Sequence, residues 1–250
     1  MLPLLLARAA ATATLAAAGN FCGSSAGCIY PLPQHATQGA PPSTGPPPSL
    51  NPQIFQTTCR PQGHPACAAV VVPALERMRG RIFTMHNGTQ TAAGSLITEL
   101  VVELSSTSAE PLQHGVNESY TLRVPAASAA MTATVSAANE WGALHGIESF
   151  AQSVALLSGT DHGFFPTAQR AYVLTLWPPA RIVDSPRTAW RGLMIDTSRH
   201  FLSVPTIEKA ITAMSISKMN VLHWHIVDGD GWALCINSTV SSQEKTHETL

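Results

Sequence analysis

Two short apolar segments separated by a helical pattern constrain the fold of this chain more than any other feature. The first segment, Arg191 to Leu202, begins apolar and ends in polar residues, and the second runs from Asn220 to Asp228. Between them, Pro205 to Met219 has the apolar spacing of a helix. A strand, a helix and a second strand with polar groups at both strand exits predict the opening of a parallel (β/α)8 barrel, which carries its site at the C-terminal face.

The barrel is expected to be incomplete. A whole one needs roughly 250 residues, and only about fifty residues of this sequence follow Arg199. We assign residues 183–250 to this incomplete barrel. The polar tail after Ala233 resembles no barrel element, and an alternative terminus or a mis-spliced reading frame would explain it.

Upstream, residues 51–182 have the pattern of a small α+β domain, with strands followed by helices that pack on one face. Alternating apolar residues predict strands, and an apolar stripe predicts helices. The predicted strands are Leu96–Leu104, Tyr120–Val124, Met131–Val135 and Ala171–Leu176, and the predicted helices are Val70–Phe83 and Glu140–Leu157. Pro178 and Pro179 are expected to end the last strand and to separate this domain from the barrel.

The N-terminus reads as a targeting segment followed by a linker. Residues 1–18 are apolar with small residues at a cleavage point, as in a secretory signal, although Arg8 interrupts the run and no positive region precedes it. A signal anchor or an organelle transit sequence remains the alternative. Residues 19–50 are rich in proline, which predicts an extended linker without strand pairing or a packed core.

Sequons and cysteines also suit the secretory route. Asn87, Asn117 and Asn237 each begin an acceptor triplet for N-glycosylation. Four cysteines form two close pairs, which predicts small disulfide loops in an oxidising compartment, with free thiols as the alternative and Cys235 left odd. The paired cysteines are Cys22, Cys28, Cys59 and Cys67.

Net charge gives no reason to expect a nucleic-acid partner. The formal charge is -1 and only 12% of the residues are charged, which gives no electrostatic reason to expect binding to nucleic acid or to an anionic membrane.

Arg199 and Asp228 are the candidate site residues, since both follow predicted strands at the active face. A planar guanidinium suits recognition of adjacent sugar hydroxyls, while pairing with Asp196 or another acid is the alternative role for Arg199. Asp228 has the alternative of capping the next turn. Arg191 begins its strand at the opposite end, and we expect it to be structural.

His223 and His225 lie on one face of the second strand and Trp224 on the other. A His-x-His pair can bind a metal, as in metal-dependent hydrolases, or can form hydrogen bonds in the core. A metal would need ligands from later strands, so we expect no metal site and no cofactor.

The Asp196–His200 motif and the His223–Asp228 stretch closely resemble the start of the catalytic barrel of family 20 glycoside hydrolases, the β-N-acetylhexosaminidases. Upstream, Glu118–Leu122 and Trp141–Phe150 resemble the α/β domain that precedes that barrel, and Ala180–Arg187 resembles the junction. The resemblance covers roughly Val70 to Trp232.

The resemblance implies hydrolysis of terminal N-acetylhexosamine residues by a substrate-assisted, retaining mechanism. Arg199 matches the arginine that binds hydroxyls of the terminal sugar, and Asp228 matches an acidic residue that supports the catalytic groups. The implied partners are N-acetylglucosaminide or N-acetylgalactosaminide glycans, and a homodimer of the full-length form remains open. The implied location is the secretory pathway, ending outside the cell, in the vacuole or in the lysosome.

The chain departs from the family pattern where catalysis would occur. Gly229 stands where a second acidic residue is usual, and the family's catalytic Asp-Glu pair is missing, because no Asp-Glu dipeptide occurs in the sequence. We therefore expect no catalytic residue within these 250 residues and no activity from them alone. A noncatalytic binding or regulatory isoform is the alternative, and a metal-dependent hydrolase built on His223 and His225 is a weaker one.

Overall fold

A computed structural model describes residues 29–39, 46–84, 95–158, 170–229 and 231–232. The chain divides into two compact units, Met1–Arg187 and Thr188–Leu250. Several predicted features lie outside the described residues: the signal segment 1–18, Asn87, Asn237, and the cysteines Cys22, Cys28 and Cys235. In the part of the chain that is described, no helix is long and apolar enough to cross a membrane.

The first unit is built on one mixed sheet of nine strands. They are β1 His35–Thr37, β2 Ser49–Leu50, β3 Gln56–Arg60, β4 Leu96–Leu104, β5 Tyr120–Val124, β6 Met131–Ala137, β7 Val154–Ser158, β8 Arg170–Leu174 and β9 Ala180–Asp184. The spatial order is β1-β9-β5-β6-β4-β2-β8-β7, and β3 also pairs with β4. The β4 strand runs parallel to β2, β3 and β6, and the remaining pairs are antiparallel.

Two helices pack against one face of this sheet and against each other. Helix α1, Val72–Ile82, continues a π-helical turn at Cys67–Val71, and helix α2 spans Glu140–Gln152. The side chain of Asn139 caps α2 by accepting hydrogen bonds from the backbone N–H groups of Trp141 and Gly142. This cap satisfies donors that the first turn of a helix otherwise leaves unpaired.

Glycine allows α2 to approach the sheet closely. A Cβ atom at Gly142 would lie 2.2 Å from the backbone oxygen of Ser119, and one at Gly146 would lie 2.4 Å from Val135 Cγ1. Aromatic rings also fill the core. Phe55 stacks on Phe150 with ring centroids 6.0 Å apart, and Phe83 packs edge-on against Tyr172 with ring centroids 5.0 Å apart. These contacts give the first unit a continuous hydrophobic core.

The prediction of a linker without a packed core over residues 19–50 is wrong for the part that the structure describes. Ile29 and Leu50 are buried, β1 pairs with β9, and β2 lies between β4 and β8. Both strands avoid the prolines: β1 falls in a proline-free stretch at the sheet edge, and β2 begins directly after Pro48. Proline density therefore shortens the strands here but does not prevent pairing.

Two further boundaries differ from the predicted ones. The helix predicted to reach Leu157 ends at Gln152, and the chain turns at Ser153 into strand β7. After Pro178 and Pro179, the chain returns to the sheet as β9, which pairs with β5 and β1. The proline pair thus interrupts the first unit rather than ending it, and the unit continues to Arg187.

The second unit is a β–α–β arrangement. Strand β10, Gly192–Asp196, leads to helix α3, Val204–Ile216, and then to strand β11, Val221–His225, which runs parallel to β10. A short hairpin follows, made of β12 Val227–Asp228 and β13 Gly231–Trp232. The predicted fold class, an α+β unit followed by parallel α/β elements, is confirmed, with α3 three residues shorter at its end than the helical pattern.

Candidate functional site at the ends of two parallel strands

The candidate site lies where β10 and β11 end side by side. In the parallel register, Asp196 lies opposite His225, so the last residue of each strand meets the other. The carboxyl ends of parallel strands in α/β folds are where ligands bind. The backbone N–H of Thr197 donates to the carbonyl oxygen of His225 over 3.1 Å and holds the loop after β10 beside β11.

Asp196 organises that loop. Its Oδ1 accepts hydrogen bonds from the backbone N–H groups of Ser198, at 3.0 Å, and Arg199, at 3.2 Å. Desolvation acts to raise the pKa of Asp196, but these N–H donors and the charge of Arg199 outweigh it and lower the pKa below the usual value of 3.8. Asp196 is therefore ionised at neutral pH and ready to pair with a cation.

The guanidinium of Arg199 joins three polar groups. Its Nη1 donates to Asp196 Oδ2 and to His225 Nε2, each at 3.0 Å, and its Nη2 forms an ion pair with Asp228 Oδ2. Because an arginine can only donate, this hydrogen bond requires His225 Nε2 to act as the acceptor. Two carboxylates and one imidazole thus fix a side chain that is otherwise long and mobile.

This arrangement joins the two roles weighed for Arg199. The predicted pairing with an acid occurs twice, with Asp196 and with Asp228. Nevertheless, 53% of the Arg199 side chain stays exposed, and a guanidinium has five N–H donors, of which these contacts use three. A fixed arginine with spare donors at the end of two strands can donate directional hydrogen bonds to hydroxyl groups of a ligand.

Asp228 lies at the start of a tight turn between β12 and β13. Gly229, which follows it, has a backbone φ of 63°. That left-handed conformation favours glycine. Glycine therefore suits this turn, at a position where the sequence departs from the family pattern.

The His-x-His stretch does not assemble a metal site with its neighbours. Among the described residues, no group of three His, Cys, Asp or Glu side chains is placed to hold a metal ion. His225 serves Arg199 instead, and His223 is exposed. Trp224 donates from Nε1 to Thr197 Oγ1 over 2.9 Å, so it braces the same loop.

Arg191 supports the opposite end of the unit. Its Nε donates to the carbonyl oxygen of Lys218 over 2.7 Å, and its Nη1 donates to that of Thr188. The side chain of Asn220 accepts from the backbone N–H of Arg191. These are contacts between the beginnings of β10 and β11, far along the strands from Arg199.

Two features of the first unit concern the secretory route. Cys59 and Cys67 form a disulfide with Cα atoms 5.7 Å apart, which links β3 to the π-helical turn. Asn117 is exposed, and its side-chain oxygen accepts from the backbone N–H and the hydroxyl of Ser119, the third residue of its sequon.

Comparisons with known proteins agree with this architecture. The family model described as beta-acetyl hexosaminidase like matches residues 29–153, and the catalytic domain of glycosyl hydrolase family 20 matches residues 189–248. Beta-hexosaminidase 3 of Arabidopsis thaliana is 35% identical over 68% of this chain and 31% of its own length. The human beta-hexosaminidase subunit beta is also 35% identical, over 66% of this chain and 27% of its own.

A solved structure is similar across both units. The chitobiase of Flavobacterium johnsoniae matches 86% of this chain and 29% of its own length, with a TM-score of 0.60 and 27% identity. The chain therefore belongs to glycoside hydrolase family 20, and it spans between 19% and 32% of the length of the curated relatives it matches.

Sequence reasoning missed the role of His225, which it considered only as a metal ligand or a core residue. The register of the two predicted strands carried the signal. If Asp196 and His225 are both placed at strand ends in parallel neighbours, they fall side by side, and the loop that follows Asp196 brings Arg199 back over them.

Proposed function

We propose that this chain is part of a β-N-acetylhexosaminidase and supplies the first sugar-binding groups of its site. The observation that carries the proposal is Arg199, held by Asp196, His225 and Asp228 at the carboxyl ends of two parallel strands. Membership of family 20 supports the reaction class, which is hydrolysis of a terminal N-acetylhexosamine.

In this proposal, Arg199 binds neighbouring hydroxyls of the terminal sugar, and Asp228 positions it. A sugar hydroxyl that accepts from a guanidinium gains a charge-assisted hydrogen bond, which is stronger than a neutral one. The β10–β11 pair is the beginning of a (β/α)8 barrel, and the strands that follow in a complete barrel bring the remaining groups to the same face.

The chemical step belongs to groups that the 250 residues do not contain. In substrate-assisted cleavage, the 2-acetamido oxygen of the sugar attacks the anomeric carbon, an Asp orients that amide, and an adjacent Glu protonates the leaving oxygen. The sequence holds no Asp-Glu pair to perform the last two roles. The chain's contribution to the reaction is therefore binding and orientation.

The experiment is to sequence the transcript to its stop codon and to assay the longest product with a chromogenic N-acetyl-β-glucosaminide. Arg199→Lys keeps the charge and loses the planar fork. The resulting fall in kcat/KM should correspond to a loss of about 2–4 kcal/mol in transition-state binding. Arg77→Lys, an exposed arginine on α1, is the matched control and should leave kcat/KM unchanged.

Each outcome has a defined meaning. An Arg199→Lys value within about threefold of the parent shows that Arg199 does not bind the sugar. A reading frame that stops at Leu250 favours the noncatalytic alternative. The first unit has a continuous hydrophobic core of its own, so its fold does not depend on the missing catalytic groups.

We also propose that the protein enters the secretory pathway. The Cys59–Cys67 disulfide and the exposed Asn117 sequon support this location, since both belong to oxidising compartments. Asn117→Gln should remove one glycan-sized mobility step from protein produced in eukaryotic cells. Ser119→Thr keeps the sequon and serves as the control; identical mobility of Asn117→Gln and the parent contradicts glycosylation at Asn117.

A further inference from the structure

The face of the nine-stranded sheet that carries no helix has two arginines in an unfavourable arrangement. Arg123 of β5 and Arg181 of β9 are direct cross-strand partners in an antiparallel pair. Both side chains are exposed, and among the described residues neither forms an ion pair or a side-chain hydrogen bond. Like charges placed directly opposite each other destabilise a sheet.

A concave surface surrounds these arginines. A cavity of about 690 Å³ is lined by Arg123 and Arg181 together with Glu103 of β4 and hydroxyl side chains of β6. Thr134 is the cross-strand neighbour of Arg123 on the other side, so one row across the sheet reads Thr134, Arg123, Arg181. The cavity thus combines two cations with neutral hydroxyl donors and acceptors.

The hydroxyls belong to successive outward positions of β6. Thr132, Thr134 and Ser136 alternate with the buried residues of that strand, and all three line the cavity. Ser136 donates to Glu103 Oε2 over 3.3 Å, which fixes the single carboxylate at one side. A surface of this kind can recognise both a charged group and the hydroxyls attached to it.

We propose that this cavity binds a sulfated sugar, with the sulfate ester between Arg123 and Arg181 and the sugar hydroxyls over β6. Guanidinium groups bind tetrahedral oxyanions through paired hydrogen bonds. An anion between the two arginines also removes the repulsion that their register creates. The site is separate from Arg199, which belongs to the other unit.

Charge balance favours sulfate over phosphate. Arg123 and Arg181 supply two positive charges and Glu103 supplies one negative charge, which leaves the cavity with a charge of about +1. A sulfate monoester carries one negative charge, whereas a phosphate monoester carries about -1.5 to -2 at neutral pH. A phosphate ester would bring its second charge towards Glu103.

The volume argues for more than a bare ion. A cavity of about 690 Å³ falls within the range of about 300–1,000 Å³ that small-molecule sites occupy. Inorganic sulfate fills only a small part of such a volume. A monosaccharide ester can contact both.

The test is a titration of the whole chain, produced without glycans in an oxidising bacterial compartment and taken as the soluble monomer. The probes are glucose 6-sulfate, glucose 6-phosphate, inorganic sulfate and glucose, followed by calorimetry or by chemical-shift changes. We expect glucose 6-sulfate to bind at least threefold more tightly than each of the other three. Affinity should fall as salt rises, because exposed charges are screened.

The variant Arg123→Gln/Arg181→Gln should lose at least tenfold in affinity for glucose 6-sulfate, as expected when charge-assisted hydrogen bonds are removed. Arg77→Gln/Arg60→Gln, which removes the same charge from exposed arginines outside the cavity lining, is the control and should bind as the parent does. Melting temperature verifies that each variant folds, and the cavity variant should melt no lower than the parent.

Three results would overturn the proposal. The first is equal affinity of the cavity variant and the parent. The second is glucose 6-phosphate or inorganic sulfate binding as tightly as glucose 6-sulfate, which would make the surface a general anion site. The third is no binding of glucose 6-sulfate beyond that of glucose. None of these results depends on hydrolase activity, so they are distinct from failure of the proposed function.

Discussion

The two units of this protein differ in how fully they bury their own apolar residues. In the first unit, helices and strands enclose a continuous core with Phe55, Phe150 and Tyr172 at its centre. In the second unit, Ile195 is the only buried residue of β10, while Met194 is 56% exposed and Leu193 is 36% exposed. A parallel strand pair normally has both faces covered.

This difference separates two kinds of sequence signal. In the first unit, the apolar residues of the predicted strands and helices are buried by contacts with other described residues. In the second unit, the pattern is that of a buried parallel strand, but most of its surface is not covered by the elements described. The polar groups at the strand ends are nevertheless held in place, because Arg199 is fixed by contacts that need only β10, β11 and the loops after them.

The largest expected effect concerns activity. We predict that residues 1–250 by themselves release no chromogenic aglycone from an N-acetyl-β-glucosaminide, because no acid-and-orienter pair is present and exposed strands leave the Arg199 site without walls. An unrelated secreted protein serves as the background control. Turnover that follows the purified chain and disappears in Arg199→Ala would show that the second unit is catalytically sufficient.

The next effect tests the packed unit. Gly142→Ala should destabilise the first unit by about 1–3 kcal/mol or more, because the new Cβ meets the backbone oxygen of Ser119, which cannot move aside easily. Gly80→Ala, in α1 with open space around it, is the matched control and should stabilise by about 0.4–1 kcal/mol.

Hydrogen exchange followed by mass spectrometry is the suitable measurement, since it reports on each unit separately. Exchange should accelerate in peptides of residues 95–158 for Gly142→Ala. If Gly142→Ala and Gly80→Ala change exchange equally, the close approach of α2 to the sheet does not limit the stability of the first unit.

A smaller effect is expected from the disulfide. Cys59→Ser/Cys67→Ser should lower the free energy of unfolding of the first unit by about 2–3 kcal/mol, the value for closing a loop with a sequence separation of 8. Cys235→Ser is the thiol control and should change nothing. Denaturant titration gives the numbers, and an unchanged midpoint for the double variant would mean that the loop is equally restricted without the bond.

The smallest effect is the acid response of the second unit. Because the folded-state pKa of Asp196 is lowered, its ionised form contributes stability above the usual value of 3.8, and this contribution is lost as pH falls through the lower folded value. NMR titration of Asp196 should show a midpoint below 3.8, and Arg199→Gln should raise it. A midpoint that does not move in Arg199→Gln would assign the shift to the backbone donors alone.

Much of the fold follows from local pattern. Strand Tyr120–Val124 has the predicted bounds, and Leu96–Leu104 does too. Of the apolar stripe that predicts helix α1, Leu75 and Met78 are buried and Ile82 is half-buried. Local signals failed where a short segment gained its structure from distant partners, as β1 and β2 did, or where an apolar run continued from helix into strand at Ser153.

The sequence alone determined the alternation of the strands and the motif that places Arg199 after a strand. These depend on residues near each other in the chain, whose spacing fixes which side chains share a face. Tertiary structure decided the rest: that proline-flanked segments join a sheet, that Arg123 lies opposite Arg181, and that His225 contacts Arg199. Strand register is a long-range pairing, and its energy comes from partners that no local pattern names.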